Sequence, residues 1–259
     1  MFKKAYLTSV LLFLYLPIAV LIIFSFNAYR TGGAWGGFSL DWYRALFRDG
    51  SVAQAVYNTV TIGIFSATFA VIIGTLAAVG INNMRGGSKR LVLGLSGMSV
   101  ANPDIVTGIS LLVLYISVFR LVGAGRLGYT TLLLSHIAFN IPYVVLSVLP
   151  RLKHMNTHIY EAAQDLGAPP AIAFLKVVVP QLMPGIITGW VLAFTLSVDD
   201  FMVSFFTTGS GVSNLSILIF SMSRRGVNPM INALSTIMFV VVLGLLFLVN
   251  LRDSKKLRS

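Results

Sequence analysis

Long apolar runs alternate with short polar segments along the whole chain. Six runs have about the 20 residues that an α-helix needs to cross the hydrocarbon core of a bilayer. The pattern therefore predicts an all-α membrane protein with six transmembrane helices. The predicted spans are residues 7–26, 59–81, 91–119, 129–149, 183–206 and 230–251.

Composition supports a membrane protein and excludes several other classes. Hydrophobic residues make up 56% of the 259 positions and charged residues 10%, with a mean hydropathy of +0.86, which is not typical of a soluble domain. The absence of cysteine excludes a disulfide framework and a thiolate metal site. The net charge of +11 does not indicate nucleic-acid binding, because the basic residues lie mostly at the ends of apolar runs.

The distribution of basic residues predicts the orientation of the chain. Lys3 and Lys4 precede the first span, which is longer than a signal-peptide core, so we expect it to be a retained anchor. If the amino terminus is cytoplasmic, twelve of the nineteen lysine and arginine residues face the cytoplasm, as the positive-inside rule requires. Both termini are then cytoplasmic, and residues 27–58, with Trp35 and Trp42, form an outer loop with an interfacial turn and helix.

Two local patterns predict how individual spans are built. The third span is interrupted by Asn102-Pro103-Asp104, so we expect a helix break in which Asn102 caps the second half. In the second span small residues recur every four positions, a pattern that is typical of a helix-packing surface. These residues are Ser66, Ala70, Gly74 and Ala78.

Three aspartates lie deep within the predicted spans, without a lysine or arginine beside them in the sequence of those spans. A carboxylate near the bilayer centre costs about 2.5 to 3.5 kcal/mol, so Asp104, Asp199 and Asp200 need an explanation. Helical rise places Asp104 roughly 20 Å into its span and the other two about 24 Å into theirs. A cavity lined by these carboxylates would repel an anion and favour a flexible organic cation.

The fifth span places its two aspartates on different helix faces. At 100° per residue, Asp199 shares a stripe with Thr195 and is the better candidate for a substrate pathway. Asp200 lies on a stripe of small residues and suits packing or helix capping, while Asp104 suits both capping and lining a cavity. Nearby aromatic rings would attract a cation, although aromatics in an apolar helix more often serve packing. They are Trp190, Phe194, Phe201, Phe205 and Phe206.

A polar segment separates the fourth and fifth spans at residues 151–180. Two helical turns over residues 159–166 are expected to end at Gly167, because glycine suits the residue that follows a helix. A second helix over residues 171–178 is expected to end near Pro180. Glu161, in the first turn, is favoured by the helix dipole. A bent polar element of this kind in a membrane protein is suited to docking a partner.

This segment resembles the EAA signature of ABC-importer permeases. The matching positions are Glu161, Ala162, Ala163, Gly167, Val177, Val179 and Pro180. The resemblance implies that the segment, with Asp165 also part of it, is held in a cleft of a cytoplasmic ATPase. It further implies that ATP-driven closure of two ATPase copies moves the segment and switches the cavity from inward-facing to outward-facing.

Nearly the whole chain is similar to the second permease subunit of spermidine/putrescine importers. The similarity is carried by residues 99–110, 193–201, 207–209 and 226–234. It implies a MetI-like permease of the bacterial inner membrane, with a single domain over residues 1–259 and a core at about 55–251. The implied partners are a second permease subunit, a cytoplasmic ATPase dimer that binds the ATP, an extracytoplasmic solute-binding protein and a polyamine substrate. No cofactor is expected on this chain.

Other functions are compatible with parts of the sequence. A permease of the same architecture would carry ferric iron or another cation, and a proton-coupled secondary transporter would use the aspartates as relays. An intramembrane serine protease is suggested only by Gly94-Leu95-Ser96-Gly97, with His136 in the next span. His154 and His158 have metal-ligand spacing, but without a third ligand we expect a solvated helix face and no metal. The glycines of residues 123–130 are expected to form a turn and not a phosphate loop.

Overall fold

The computed structural model describes residues 2–29, 34–156, 158–224 and 229–256, with side chains described between residues 6 and 244. In this part of the chain the regular elements are helices, apart from one isolated antiparallel bridge between Asn27 and Phe38. The all-α prediction is therefore confirmed. In chain order the helices are α1 (Phe2–Phe24), α2 (Asp41–Arg48), α3 (Gly50–Asn83), α4 (Gly86–Ala101), α5 (Asp104–Val122), α6 (Tyr129–His154), α7 (His158–Asp165), α8 (Pro170–Ala173), a π-helix (Phe174–Val178), α9 (Val179–Asp199), α10 (Met202–Thr207), α11 (Leu215–Arg224) and α12 (Pro229–Lys256).

Among the described residues, five helical stretches are long and apolar enough to cross a membrane. They correspond to the first five predicted spans and extend over Tyr6–Phe24, Gly50–Asn83, Asp104–Val122, Tyr129–His154 and Pro170–Asp199. The sixth predicted span, residues 230–251, lies within α12. The apolar part of α12 with described side chains, Pro229–Gly244, is shorter than a full span.

The chain divides into two compact units, and each has its own core. One unit combines Met1–Val56 with Leu215–Ser259, and the other is Tyr57–Asn214. In the first unit the carbonyl of Asn27, shortly after α1, accepts a hydrogen bond from the Trp42 indole at 2.7 Å. Trp42 lies on α2, the helix that the sequence predicts within residues 27–58. The apolar core of this unit consists of Leu46, Val52, Ala55, Leu215, Met230, Ala233 and Leu234.

In the second unit, α6 and α9 pack against each other in antiparallel directions. Their backbones approach closely because Gly185 of α9 faces Val148 of α6, and Gly189 faces Val144. Small residues at such crossings let membrane helices gain van der Waals contact. The buried core is formed mainly by α3, α6 and α9 and includes Ala67, Ala70, Val71, Ala78, Ile81, Val144, Val145, Val148, Leu149, Leu152, Val178, Leu182 and Ala193.

The small-residue stripe of the second span is a packing surface, as its spacing predicts. Ser66, Ala70 and Ala78 of α3 are fully buried. Gly74 faces Val144 of α6. The stripe therefore serves helix contact within this unit.

The third span is broken where the sequence predicts, but the predicted cap is wrong. α4 ends at Ala101 and α5 begins at Asp104, with Asn102 and Pro103 in extended conformations. Pro103 occupies the N-cap position of α5, so its carbonyl accepts the first hydrogen bond of that helix, from the N–H of Val106. The amide of Asn102 is one residue too early to cap and donates to Thr107 Oγ1 at 3.3 Å.

The fifth span differs from its prediction at both ends. Pro180 does not end a helix, because Pro170–Asp199 is one helical stretch of 30 residues. The π-turn before Pro180, in which the N–H of Val179 bonds to the carbonyl of Phe174, accommodates the missing proline N–H. At the other end the helix does not continue to residue 206, because the chain becomes extended at Asp200 and starts again as α10.

Candidate functional site

The break between α9 and α10 is built around a buried carboxylate. Asp200 is extended, with φ −63° and ψ 128°. Its Oδ1 accepts a hydrogen bond from the N–H of Val203 at 3.2 Å, and its Oδ2 accepts one from the N–H of Ser204 at 2.7 Å. The first N–H groups of a helix have no partner within the helix, and a carboxylate satisfies them well. Asp200 therefore caps α10, which is one of the two roles that its stripe predicts.

Three further buried side chains hold this capped turn. His136 of α6 places Nε2 at 2.9 Å from Ser204 Oγ and at 3.6 Å from Asp200 Oδ2. The Asn214 amide donates to Ser204 Oγ at 2.7 Å. We call Asp200, His136, Ser204 and Asn214 the break cluster. Apart from Asp200, the members of this cluster are visible in the sequence only as polar residues in or beside apolar runs. A sequence pattern that covers a few neighbouring positions does not show that residues so far apart in the chain will pair.

A second buried polar cluster lies about one helical turn from the break. It is after His136 on α6 and before Asp200 on α9. The Asn140 amide donates to Ser197 Oγ at 2.8 Å, and Ser197 Oγ lies 2.8 Å from Ser66 Oγ. These side chains join α6, α9 and α3 before the break. Hydrogen bonds of this kind link helices in an apolar environment, where an unpaired polar group is costly.

Asp199 differs sharply from its neighbour in the chain. It is the last residue of α9 and is exposed. Within the described part of the chain, its carboxylate has no hydrogen bond and no ion pair. Thr195, which the sequence places on the same stripe, donates its hydroxyl to the Val191 carbonyl at 2.8 Å. The carboxylate of Asp199 is thus available to a ligand, while the hydroxyl of Thr195 is already used.

Asp104 lies near the same break. It is the first residue of α5 and is exposed. One helical turn later, Gly108 of α5 faces the Met202 carbonyl and the Val203 backbone of α10, so Asp104 begins the helix that packs against the break. A shared cavity for Asp104 and the aspartates of the fifth span stays a prediction.

The aromatic residues of the fifth span mostly pack against one another. Trp190 and Phe194 stack with ring centroids 5.4 Å apart and planes inclined by 4°, and both lie against the apolar core. The Trp190 indole donates to Thr68 Oγ1 at 3.1 Å. Phe201 pairs with Phe205 at 5.4 Å. Trp190 lies nine residues before Asp199 on the same helix, about 13 Å away along the axis, so the two do not share one binding point.

The polar element between the fourth and fifth spans forms as predicted up to its bend. α7 ends in a Schellman motif, in which the N–H of Ala168 bonds to the Ala163 carbonyl and the N–H of Gly167 to the Gln164 carbonyl. Gly167 has φ +85°, a left-handed conformation that favours glycine. The chain then turns into α8.

The exposed face of this element carries charged and apolar side chains together. Glu161, Ala162 and Asp165 are exposed and Ala163 is half-buried, and Glu161 Oε2 lies 3.1 Å from His158 Nδ1. Leu166 is 90% exposed and Leu175 is 62% exposed. Sequence reasoning missed these two leucines, although leucine in a polar segment was a visible signal. Large apolar side chains exposed beside charged ones are typical of a protein-binding surface.

The structure does not pair the residues suggested for a protease. Ser96 donates to the Val92 carbonyl within α4 at 2.9 Å, whereas His136 contacts Ser204. Ser204, His136 and Asp200 are the residue types of a catalytic triad, but Asp200 and Ser204 both lie at Nε2 and all three are buried. A triad needs its acid at the other ring nitrogen and its nucleophile open to substrate.

Comparison with known proteins gives consistent results. Residues 70–252 match the family model described as binding-protein-dependent transport system inner membrane component. The chain is 44% identical over 241 residues to the spermidine/putrescine transport system permease protein PotC of Escherichia coli (strain K12), covering 93% of this chain and 89% of that protein. It is 42% identical over 235 residues to the putrescine transport system permease protein PotI of the same strain, covering 89% of this chain and 83% of PotI.

Solved structures resemble the fold at lower identity. A chain of a bacterial ABC transporter involved in the import of the acidic polysaccharide alginate aligns with a TM-score of 0.74 and 17% identity, covering 98% of this chain and 94% of that chain. A chain of the MetNI methionine ABC transporter in an inward-facing conformation aligns with a TM-score of 0.61 and 21% identity, covering 82% and 96%. These likenesses show a shared ABC-importer permease fold, in agreement with the MetI-like fold that the sequence predicts.

Proposed function

The chain belongs to the family of binding-protein-dependent transport system inner membrane components, and on that basis we propose that it forms part of the translocation pathway of a polyamine importer. The observation that carries the proposal is the 44% identity to PotC over 93% of the chain. The exposed carboxylate of Asp199 at the end of an apolar helix is the chemical feature that fits this substrate class. Spermidine and putrescine carry separated ammonium groups on a flexible apolar chain.

The acidic residues are suited to weak, transient binding of such a cation. A carboxylate in a membrane span is unfavourable unless a counter-charge or water offsets its cost. Asp199 has no such partner in the described part of the chain, and Asp104 is also exposed, at the start of α5. A passing ammonium group would supply a counter-charge to either carboxylate. Conduction requires binding that is strong enough for entry and weak enough for release, so solute selectivity rests mainly with an extracytoplasmic binding protein.

The polar element is proposed to dock a cytoplasmic ATPase. Its bend at Gly167, its exposed Glu161 and Asp165, and the exposed Leu166 provide a surface of mixed polar and apolar character outside the spans. ATP is then bound by a dimer of partner ATPase subunits, and a second permease subunit completes the pathway. With this element on the cytoplasmic side and six spans in the chain, the proposal has both termini on the cytoplasmic side of the bacterial inner membrane.

One continuous helical stretch joins the docking element to the candidate pathway. Pro170–Asp199 contains 30 residues, which corresponds to a length of about 45 Å. Movement of α8, the second helix of the docking element, therefore reaches Asp199 without crossing a loop. This connection is the mechanical basis that we propose for coupling ATP hydrolysis to the opening and closing of the pathway.

Uptake into proteoliposomes that contain the complete transporter and its binding protein tests the proposal. We expect ATP-dependent uptake of labelled spermidine or putrescine, and a reduced rate for Asp199→Asn with normal subunit assembly. Asp41→Asn is the control, because Asp41 is an exposed carboxylate that, among the described residues, pairs with Arg44 on α2. Uptake of ferric iron in place of polyamines would contradict the substrate assignment. Uptake that continues without ATP would contradict the importer class and favour a secondary transporter.

A further inference from the structure

The break after Asp199 redirects the chain onto another helix. Asp200 is extended, and α10 then packs on α5, where Gly108 faces the Met202 carbonyl and the Val203 backbone. A β-carbon built at Gly108 would lie 3.0 Å from the Met202 oxygen, so the two backbones are in close contact. Val203 is fully buried as a result.

This redirection leaves the side chain of Asp199 uncovered. On a continuous α-helix the residues three and four positions further on are the surface neighbours of a given side chain. Met202 and Val203 would then lie beside Asp199 and shield its carboxylate with apolar atoms. Because the chain turns away at Asp200, Asp199 is exposed instead.

The position of α10 depends on contacts from outside it. A helix of six residues is too short to be stable by itself. Its first turn is capped by Asp200, and its Ser204 hydroxyl is held by His136 Nε2 at 2.9 Å and by the Asn214 amide at 2.7 Å. Thr131 Oγ1 donates to the Thr207 carbonyl at 2.7 Å near the end of the helix. The His136 ring lies against both the hydroxyl of Ser204 and, at 3.6 Å, the carboxylate that makes the break.

We propose that His136 is a positioning residue for transport. By holding Ser204 and lying beside Asp200, it keeps the helix broken and so keeps the carboxylate of Asp199 accessible to the substrate. The inference rests on the proposed function for the identity of the substrate, a cation with ammonium groups. The claim that His136 controls the accessibility of position 199 concerns geometry and is measured without any substrate.

The absence of cysteine from the chain makes this measurement direct. Asp199→Cys introduces a single thiol, and a membrane-impermeant cationic methanethiosulfonate reports its accessibility as a labelling rate on this chain in the assembled complex. Adding His136→Ala should slow labelling at least threefold, the effect expected from losing about one buried hydrogen bond. His136→Gln, whose amide N–H reaches about as far as Nε2, should restore the rate, whereas the shorter His136→Asn should not.

Two controls separate positioning from general loosening of the fold. Tyr115→Phe removes a hydroxyl that lies 3.0 Å from Ser135 Oγ, the neighbour of His136 on α6, without touching the break. Asn140→Ala removes a polar side chain that is as buried as His136 and lies on the same face of α6. Asn140 bonds to Ser197 of α9, which precedes the break. Neither change should slow labelling of the thiol introduced by Asp199→Cys. If Asn140→Ala slows labelling as much as His136→Ala does, the proposal is overturned, because the slower labelling would then result from lower stability alone.

The remaining outcomes also decide the question. If His136→Ala does not assemble, the comparison between His136→Gln and His136→Asn replaces it, and equal labelling rates in that pair would overturn the proposal. Combination of His136→Asn with Asp200→Asn should slow labelling by less than the product of the single effects, because both act on one break. If labelling behaves as expected while the unsubstituted complex shows no ATP-dependent polyamine uptake, the proposed function fails and the positioning role stands.

Discussion

Gly74 of α3 and Val144 of α6 are in such close contact that a β-carbon at position 74 would lie 2.7 Å from Val144 Cγ1. Val144 is fully buried and also faces Gly189 of α9. The backbones of three helices therefore meet around one valine, with glycines on two sides. The position of an added β-carbon is fixed by the backbone of residue 74, so no rotamer change there can relieve the close contact. Val144 or the helices must move instead.

We therefore predict that Gly74→Ala destabilises the protein by about 1–3 kcal/mol, as expected for overpacking. Gly80→Ala on the same helix is the control, because a β-carbon at position 80 meets no atom within 4 Å, and alanine favours a helix over glycine. Thermal unfolding in detergent should show a lower midpoint for Gly74→Ala only. Equal midpoints would mean that α3 and α6 do not pack this closely.

Gly167 provides a test of the docking element. Its φ of +85° makes a β-carbon unfavourable by about 1–2 kcal/mol, so Gly167→Ala should distort the bend between α7 and α8. We expect less ATPase subunit to co-purify with this variant. Gly86→Ala is a matched control, because Gly86 has φ +65° with open surroundings but lies outside the element. A similar loss of ATPase with both variants would show a general effect of backbone strain.

Leu166 tests whether apolar contact contributes to the same docking. Its side chain is 90% exposed, so Leu166→Ala removes almost no contact within this chain and should leave the unfolding midpoint unchanged. If Leu166 enters a pocket of the ATPase, its loss should weaken association by at least about fivefold, an effect of about 1 kcal/mol. Phe47→Ala is the control, because Phe47 is 78% exposed on α2, outside the docking element. Titration of labelled ATPase against the permease in detergent gives the affinity, and an unchanged value would exclude Leu166 from the interface.

Local chemistry explains which parts of the structure the sequence predicts well. The end of α7 follows from Gly167, since a left-handed residue after a helix is a property of a few neighbouring positions. The break before Asp104 follows from Pro103 for the same reason. The prediction that Pro180 ends a helix is wrong, because the rule applies to an α-helical hydrogen-bond pattern and the chain adopts a π-turn there instead.

Long-range pairing explains what the sequence did not predict. The contact between His136 and Ser204 joins α6 to α10, and neither residue carries a local signal for the other. The break at Asp200 was also missed, because an aspartate pair in an apolar run indicates function and does not indicate an extended residue. Once the break exists, the different exposures of Asp199 and Asp200 follow from it.

The two adjacent aspartates should consequently respond differently to the same substitution. Asp200→Ala removes the cap of α10 and leaves two N–H groups unsatisfied, which should destabilise the protein by about 0.5–2 kcal/mol. Asp199→Ala removes an exposed carboxylate without a partner in the described structure, so the unfolding midpoint should not fall. Polyamine uptake by Asp199→Ala should nevertheless fall at least about fivefold, as expected if about 1 kcal/mol of ammonium binding is lost. Unfolding scans and uptake assays on the same preparations measure both effects, and a lower midpoint for Asp199→Ala with normal uptake would reverse the roles assigned to the two residues.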